Sequence, residues 1–323
     1  MRRRAVPIIA LLVLVAGFLA ALTLRDDDSG AEIAVPVSGP ADPGRVLPRP
    51  ARVAVLVLEN RNYEQVIGNP QAPFLNRLAQ RYALATRYYA LAHPSLPNYI
   101  AMTGGETYGI LSDCSSCDTE HHNLLNQLDR ARIGWRAYFQ GLLSGAALND
   151  RTAMYDPHYD PFAYYERVEG SDRARDRIGN FADLQRDLAL NRLRTFSWIA
   201  PDVLNDGHNG SLRQADRFAA QFVPAVIRAL GPHGVLYLLW DEGPNSDHRG
   251  IDGSAGGGRV ALIAAGGAAR SGARTPVPAN HYALLRTIEA NLGVPALRNA
   301  SLPSTPLLTG LLQKSSRQVN SGE

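Results

Sequence analysis

Two continuous apolar runs constrain this chain more than any other feature. They are Arg52-Val-Ala-Val-Leu-Val-Leu58 and Gly234 to Trp240. Neither alternates apolar with polar residues, so each reads as a strand buried on both faces, as in a parallel sheet covered by helices. Arg259 to Ala265 reads as a third buried strand, and Trp135 to Phe139 and Thr195 to Ala200 as shorter ones. Between them lie helical patterns over Ala72 to Tyr82, Asn98 to Met102, Asn123 to Ile133, Phe181 to Leu193, Leu212 to Leu230 and His281 to Leu292. Strands that alternate with helices predict an α/β fold, a three-layer α/β/α sandwich around a mostly parallel sheet. Residues 144–177 have weak periodicity and read as an insertion over the site.

Arg2, Arg3 and Arg4 precede an uncharged run from Ala5 to Leu24. This is the pattern of an export signal or a membrane anchor with its positive end inside. Residues 25–50 are rich in Asp, Gly and Pro and read as a flexible linker. The folded domain is expected over 51–313 and a polar tail over 314–323. The domain would then face an extracytoplasmic space, held to the membrane by the anchor or secreted. Cys114 and Cys117 are the only cysteines. In an exported chain with no second pair they read as a short disulfide loop.

Of 33 cationic residues, Lys314 is the only lysine, and the net charge is +3. The arginines are scattered and interleaved with acids, unlike the basic stripe of a nucleic-acid binder. No nucleic-acid partner is expected. Oligomeric state is left open by the sequence.

In open α/β sheets ligands lie beyond the carboxyl ends of the strands. One apolar run ends in Glu59-Asn60 and another in Asp241-Glu242. Two strands therefore deliver carboxylate and amide oxygens to one sheet edge, a donor set suited to a hard divalent cation. His93-Pro94-Ser95-Leu96-Pro97-Asn98 places Ser95 near a helix start, where free N–H groups favour an anion and a plain capping serine is the commoner outcome.

The ordered set 59–64 (Glu-Asn-Arg-Asn-Tyr-Glu), 93–99 with Thr103-Gly104-Gly105, 205–210 (Asn-Asp-Gly-His-Asn-Gly), 240–243 (Trp-Asp-Glu-Gly) and 281–289 resembles the phosphoesterase family of bacterial phospholipases C and acid phosphatases, within the alkaline-phosphatase-like superfamily. The resemblance implies metal ligation by Glu59, Asn60, Asp241, Glu242 and Asp206, and Ser95 as nucleophile and metal ligand. It implies that Asn98 holds a phosphoryl oxygen and that Asp206 and His208 supply metal or phosphate contacts. It places His281 at the mouth of the site, and His158 in a shifted His-Asn-Pro-Phe-like segment that binds substrate. His93 or His208 would protonate the leaving oxygen. The implied cofactor is a divalent cation: Zn, Ca, Mg or Mn. The implied substrate is a small phosphate monoester. A phospholipid diester, as in phospholipase C, and a non-catalytic envelope-binding role are the alternatives. The aromatic group Tyr155, Tyr159, Phe162, Tyr164 and Tyr165 reads as insertion packing, with a lid for an alcohol or choline group as its alternative.

Overall fold

The structure is a computed structural model and describes residues 49–313. The expected export segment, most of the linker and the polar tail lie outside the described residues. Among the described residues no helix is long and apolar enough to cross a membrane.

The strands are β1 (Val53–Leu58), β2 (Ala83–Tyr89), β3 (Trp135–Phe139), β4 (Ile178–Gly179), β5 (Phe196–Ala200), β6 (Val235–Trp240), β7 (Arg259–Ala265), β8 (Arg274–Thr275) and β9 (Ala279–Asn280). The helices are α1 (Tyr63–Val66), α2 (Pro73–Arg81), α3 (Ser95–Gly104), α4 (Leu124–Arg130), α5 (Glu166–Glu169), α6 (Asp172–Arg175), α7 (Phe181–Ala189), α8 (Leu212–Leu230) and α9 (His281–Leu292). The sheet runs β4-β3-β5-β1-β6-β7-β2-β8, with β9 also on β2. Among the described strands only β7 is reversed; it pairs antiparallel with both β6 and β2. The α2, α7 and α8 helices pack together on one face of the sheet, and α3, α4 and α9 on the other. This is the expected three-layer α/β/α sandwich.

The two apolar runs lie side by side at the centre. β1 and β6 are fully buried and pair in parallel, Val53 with Val235 through Leu58 with Trp240. Each can be apolar at every position because helices cover both faces. Their matched register brings Glu59 and Asp241 out at the same level.

Three expectations are adjusted. The helix expected to reach Leu193 stops at Ala189, and Asn191 takes a left-handed turn with φ of 50°. The β2 strand had no expectation; Thr86 and Arg87 interrupt its apolar pattern, and its register with β7 shifts between Ala85 and Tyr88. The β7 strand, expected among parallel neighbours, runs the other way. The 144–177 segment folds as short turns and the helices α5 and α6. All five of its singled-out aromatics are buried, so they pack the insertion and form no open cage.

Candidate active site

Glu59 and Asn60 leave β1 where the chain must turn off the sheet. Asn60 does so with φ of 50°, a left-handed conformation that asparagine adopts more readily than most residues. Its N–H donates to Asp241 Oδ1 at 3.1 Å and its Nδ2 to Glu242 Oε1 at 2.9 Å, which locks the two strand ends together. The Glu59 N–H donates to the Asp206 carbonyl at 3.0 Å and ties in the loop between β5 and α8. Arg61 braces that loop from outside through the carbonyls of Gly207 and Gly210.

Ser95 reaches this edge on a loop that follows β2. The loop lies against Gly256, Gly257 and Gly258, the run ahead of β7. Ala90 N–H donates to the Gly258 carbonyl, Gly257 N–H to the Ala90 carbonyl, and Gly243 N–H to the Gly257 carbonyl. A Cβ on Gly257 would stand 2.2 Å from the Ala92 carbonyl oxygen, so this approach needs a glycine. The glycine run is a packing turn, as its lack of a phosphate-loop Lys-Ser/Thr implies.

Ser95 is the first residue of α3 and is buried. Its Oγ lies 3.1 Å from Glu59 Oε2, 3.1 Å from Glu242 Oε1 and 3.5 Å from Asn60 Oδ1. One hydroxyl proton can serve only one of these acceptors at a time. The others form an electron-rich wall that protein donors leave partly unsatisfied.

The electrostatics say the same. Burial, then the charges of Asp241 and Asp206, push the Glu59 carboxyl well above its ordinary range, against the hydrogen bond that Tyr99 donates to it. Burial and Glu242 push Asp241 up. Burial raises Asp206 to about 7. Asp206 Oδ2 and Asp241 Oδ2 are buried without any hydrogen bond. Orphaned carboxylate oxygens at this sheet edge fit a hard divalent cation, which would satisfy the oxygens and reverse these shifts. Among the described residues no three Asp, Glu, His or Cys side chains converge enough to hold an ion by themselves. The Asn60 and Ser95 oxygens would have to complete any such ligand set.

Other expected site residues are placed differently. Asn98 is fully buried and its amide is committed to the loop before α3. Its Oδ1 accepts from Leu91 and Ala92 N–H, and its Nδ2 donates to the Ala92 and Pro94 carbonyls. It clamps the Ser95 loop, and no donor remains for a phosphoryl oxygen. His281 is fully enclosed and not at the mouth. Burial lowers it to about 4, so it is neutral, its Nε2 donating to the Asp241 carbonyl at 2.6 Å and its Nδ1 bonded to the Tyr88 hydroxyl at 2.9 Å. It supports the Asp241 turn from beneath. His93 has both ring nitrogens taken, by the Glu242 carboxylate and by the Asp247 carbonyl at 3.0 Å. The hydrogen bond with Glu242 raises its pKa. With a partner at each ring nitrogen, neither is left for a leaving group.

His208 is exposed, with Nδ1 bonded to the Tyr159 hydroxyl at 2.8 Å and its own N–H on Asp206 Oδ1 at 2.7 Å. His158 sits on Asp156 and stacks on Tyr164, with no bond to the Ser95 group among the described residues. Cys114 and Cys117 form the expected disulfide. Next to it, Asp113 Oδ1 accepts the Leu96 N–H at 3.0 Å. One of the N–H groups at the α3 start, expected to be free for an anion, is thus taken.

Tyr99 is the site residue the sequence reading passed over. It lies one turn after Ser95, on the same face of α3, and its hydroxyl donates to Glu59 Oε1. Burial and Glu59 push that hydroxyl far above its ordinary range, so it stays a donor. Its i, i+4 spacing from Ser95 was the available signal. Tyr159 stacks on it with centroids 6.1 Å apart and links it to His208.

Residues 69–295 match the Phosphoesterase family. The chain belongs to that family. A relative named probable acid phosphatase from Kluyveromyces lactis is 26% identical over 260 residues, covering 76% of this chain and 59% of that protein. A phosphatidylinositol-3-phosphatase from Mycobacterium tuberculosis is 27% identical over 264 residues, covering 81% and 83%. An acid phosphatase from Aspergillus fumigatus is 26% identical, covering 74% and 54%. This phosphoesterase chain thus spans little more than half the length of the two fungal proteins. Among solved structures, an alkaline phosphatase superfamily protein from Vibrio parahaemolyticus superposes with a TM-score of 0.56 at 13% identity, over 80% of this chain and 72% of that one. The lipoteichoic acid synthase LtaP from Listeria monocytogenes does so with 0.53 at 9% identity, over 82% and 76%. These likenesses establish the fold.

Proposed function

We propose that this chain is an exported, metal-dependent phosphoesterase that hydrolyses phosphate monoesters through a phosphoserine at Ser95. The observation that carries the reading is the buried Ser95 hydroxyl at a helix start, ringed by oxygens of Glu59, Asn60 and Glu242. Family membership and the relatives named acid phosphatase support it.

A bound divalent cation would supply Lewis acidity, lowering the serine pKa and neutralising phosphoryl oxygens. Glu59, Asn60, Asp241, Glu242 and Asp206 would hold it beside Ser95. Glu59 or Glu242, each 3.1 Å from Oγ, accepts the hydroxyl proton as Oγ attacks phosphorus. The bond from phosphorus to the ester oxygen breaks, and that oxygen takes a proton from His208 Nε2, the ring nitrogen facing away from Tyr159. Water then attacks the phosphoserine and returns a proton to His208, Oγ leaves with the proton held by Glu59 or Glu242, and inorganic phosphate departs.

The test is hydrolysis of p-nitrophenyl phosphate by the full chain, before and after chelation and with Zn, Ca, Mg or Mn restored. Turnover should vanish on chelation and return with one of the ions. Ser95→Ala should lose at least ~1000-fold in kcat, the scale on which a lone nucleophile is felt. Near-full turnover by that variant would overturn the reading. A second reading takes a phosphorylated lipid headgroup as the ester. It is favoured by the Mycobacterium tuberculosis relative, which matches this chain along most of both lengths. Faster turnover of phosphatidylinositol 3-phosphate than of p-nitrophenyl phosphate would select it.

A further inference from the structure

The arginines at the site edge, such as Arg61, Arg249 and Arg259, are engaged by carbonyls or acids, whereas several at the opposite edge are not ion-paired. The carboxyl edge of the sheet carries Glu59, Asp206, Asp241 and Glu242. The opposite edge, where the parallel strands begin, collects arginines. Arg194 lies two residues before β5, and Arg192 precedes it, its N–H on the Asp187 carbonyl. Arg81 closes α2 just before β2, and its carbonyl accepts the Gly272 N–H. Arg270 lies in the loop after β7, and Arg228 in the last turn of α8. All are exposed, and none is ion-paired to an acid among the described residues.

On the same side a groove of about 690 Å³ lies between α2 and α8. Phe74, Ile227 and Pro224 give it an apolar floor, and Arg77, Arg81 and Arg228 rim it. The described chain enters at the same edge of the sheet, with Arg49 beside Gly293 at the end of α9 on the opposite face. Ala51 N–H donates to the His233 carbonyl, and Arg52 Nη1 donates to the Ala229 carbonyl at the end of α8. The first described residues therefore lie at the edge where the parallel strands begin and not beside Ser95.

We propose that the groove between α2 and α8, with the arginine edge around it, docks on an anionic phospholipid bilayer, so that the Ser95 edge faces solution and takes soluble esters. The chemistry matches. Guanidinium groups pair with lipid phosphates in a fork geometry, and an apolar floor between them suits the headgroup–acyl boundary. Such attraction acts only within about a Debye length, ~10 Å at 0.1 M salt. The orientation bears on the substrate class of the proposed reaction, but the docking face does not depend on Ser95 chemistry.

The test uses the full chain in vesicles of phosphatidylcholine with or without phosphatidylglycerol. One nitroxide is placed at Gln80→Cys in the groove and, in a second sample, at Ser246→Cys on the site edge; both positions are exposed. Access of a water-soluble nickel relaxant to residue 80 should fall about fivefold or more in the phosphatidylglycerol vesicles and not in phosphatidylcholine alone, while residue 246 stays open. Arg77→Gln, Arg81→Gln and Arg228→Gln together should restore access, with melting temperature and ester turnover unchanged. Open access at residue 80 in anionic vesicles would overturn the proposal. So would shielding at residue 246, or equal shielding of residue 80 in neutral vesicles or in detergent, which would point to a second copy of the chain.

Discussion

Asn98 and Tyr99 are sequence neighbours on α3 and do separate jobs. Asn98 spends its amide on the loop that carries Ser95, and Tyr99 spends its hydroxyl on Glu59. Asn98→Ala should strip four backbone groups of partners and destabilise the fold by about 2–4 kcal/mol, read in denaturant unfolding. If Asn98 instead gripped substrate, KM would rise with stability intact. Tyr99→Phe should keep the fold but lower kcat by roughly 10–100-fold and weaken metal binding in a titration, as loss of a support to a ligand does. Glu59, Asn60, Ser95, Asp241 and Glu242 were legible in the sequence because each follows or precedes a strongly patterned element. The roles of Asn98, His93 and His281 were not. A motif names the residues that gather, whereas the partner of each nitrogen is set by tertiary packing.

At the scale of elements, position was easier to read than direction or contact. The bounds of α8, β3, β7 and α9 follow from periodicity alone, yet nothing in the β7 sequence marks it as reversed. Reversal puts the start of β7 at the site edge, and this is why a glycine run and not a strand end meets the Ser95 loop. Gly257→Ala should therefore displace that loop, lowering melting temperature and turnover together, at a cost of roughly 2–3 kcal/mol in an unfolding titration. The insertion carries its own pH signature. Burial pushes Asp160 up to about 8, against the bonds it accepts from Phe162 N–H and the Tyr155 hydroxyl. The folded chain keeps a proton that the unfolded chain releases above about pH 4. The contribution of Asp160 to stability is thus complete below about pH 4 and is lost as pH rises towards 8. Asp160→Asn cannot titrate. Its melting temperature relative to the parent should climb across that window and level off above it.

Across the whole molecule, topology gathers the four buried site acids at one sheet edge and sets Arg81, Arg194, Arg228 and Arg270, unpaired with acids among the described residues, at the other. Sequence distance hid this, because the strands that share an edge lie far apart along the chain. The same topology has a consequence for how the protein is made. β1 is the central strand and the first to leave the ribosome, yet its two partners, at Phe196 and Val235, come much later. A strand flanked on both sides by late arrivals has nothing to pair with during most of synthesis, and pairings this distant form slowly. The growing chain therefore cannot close its central sheet until late in synthesis. The site, which draws Glu59 from one end of that wait and Glu242 from the other, closes only after the last central strand has emerged.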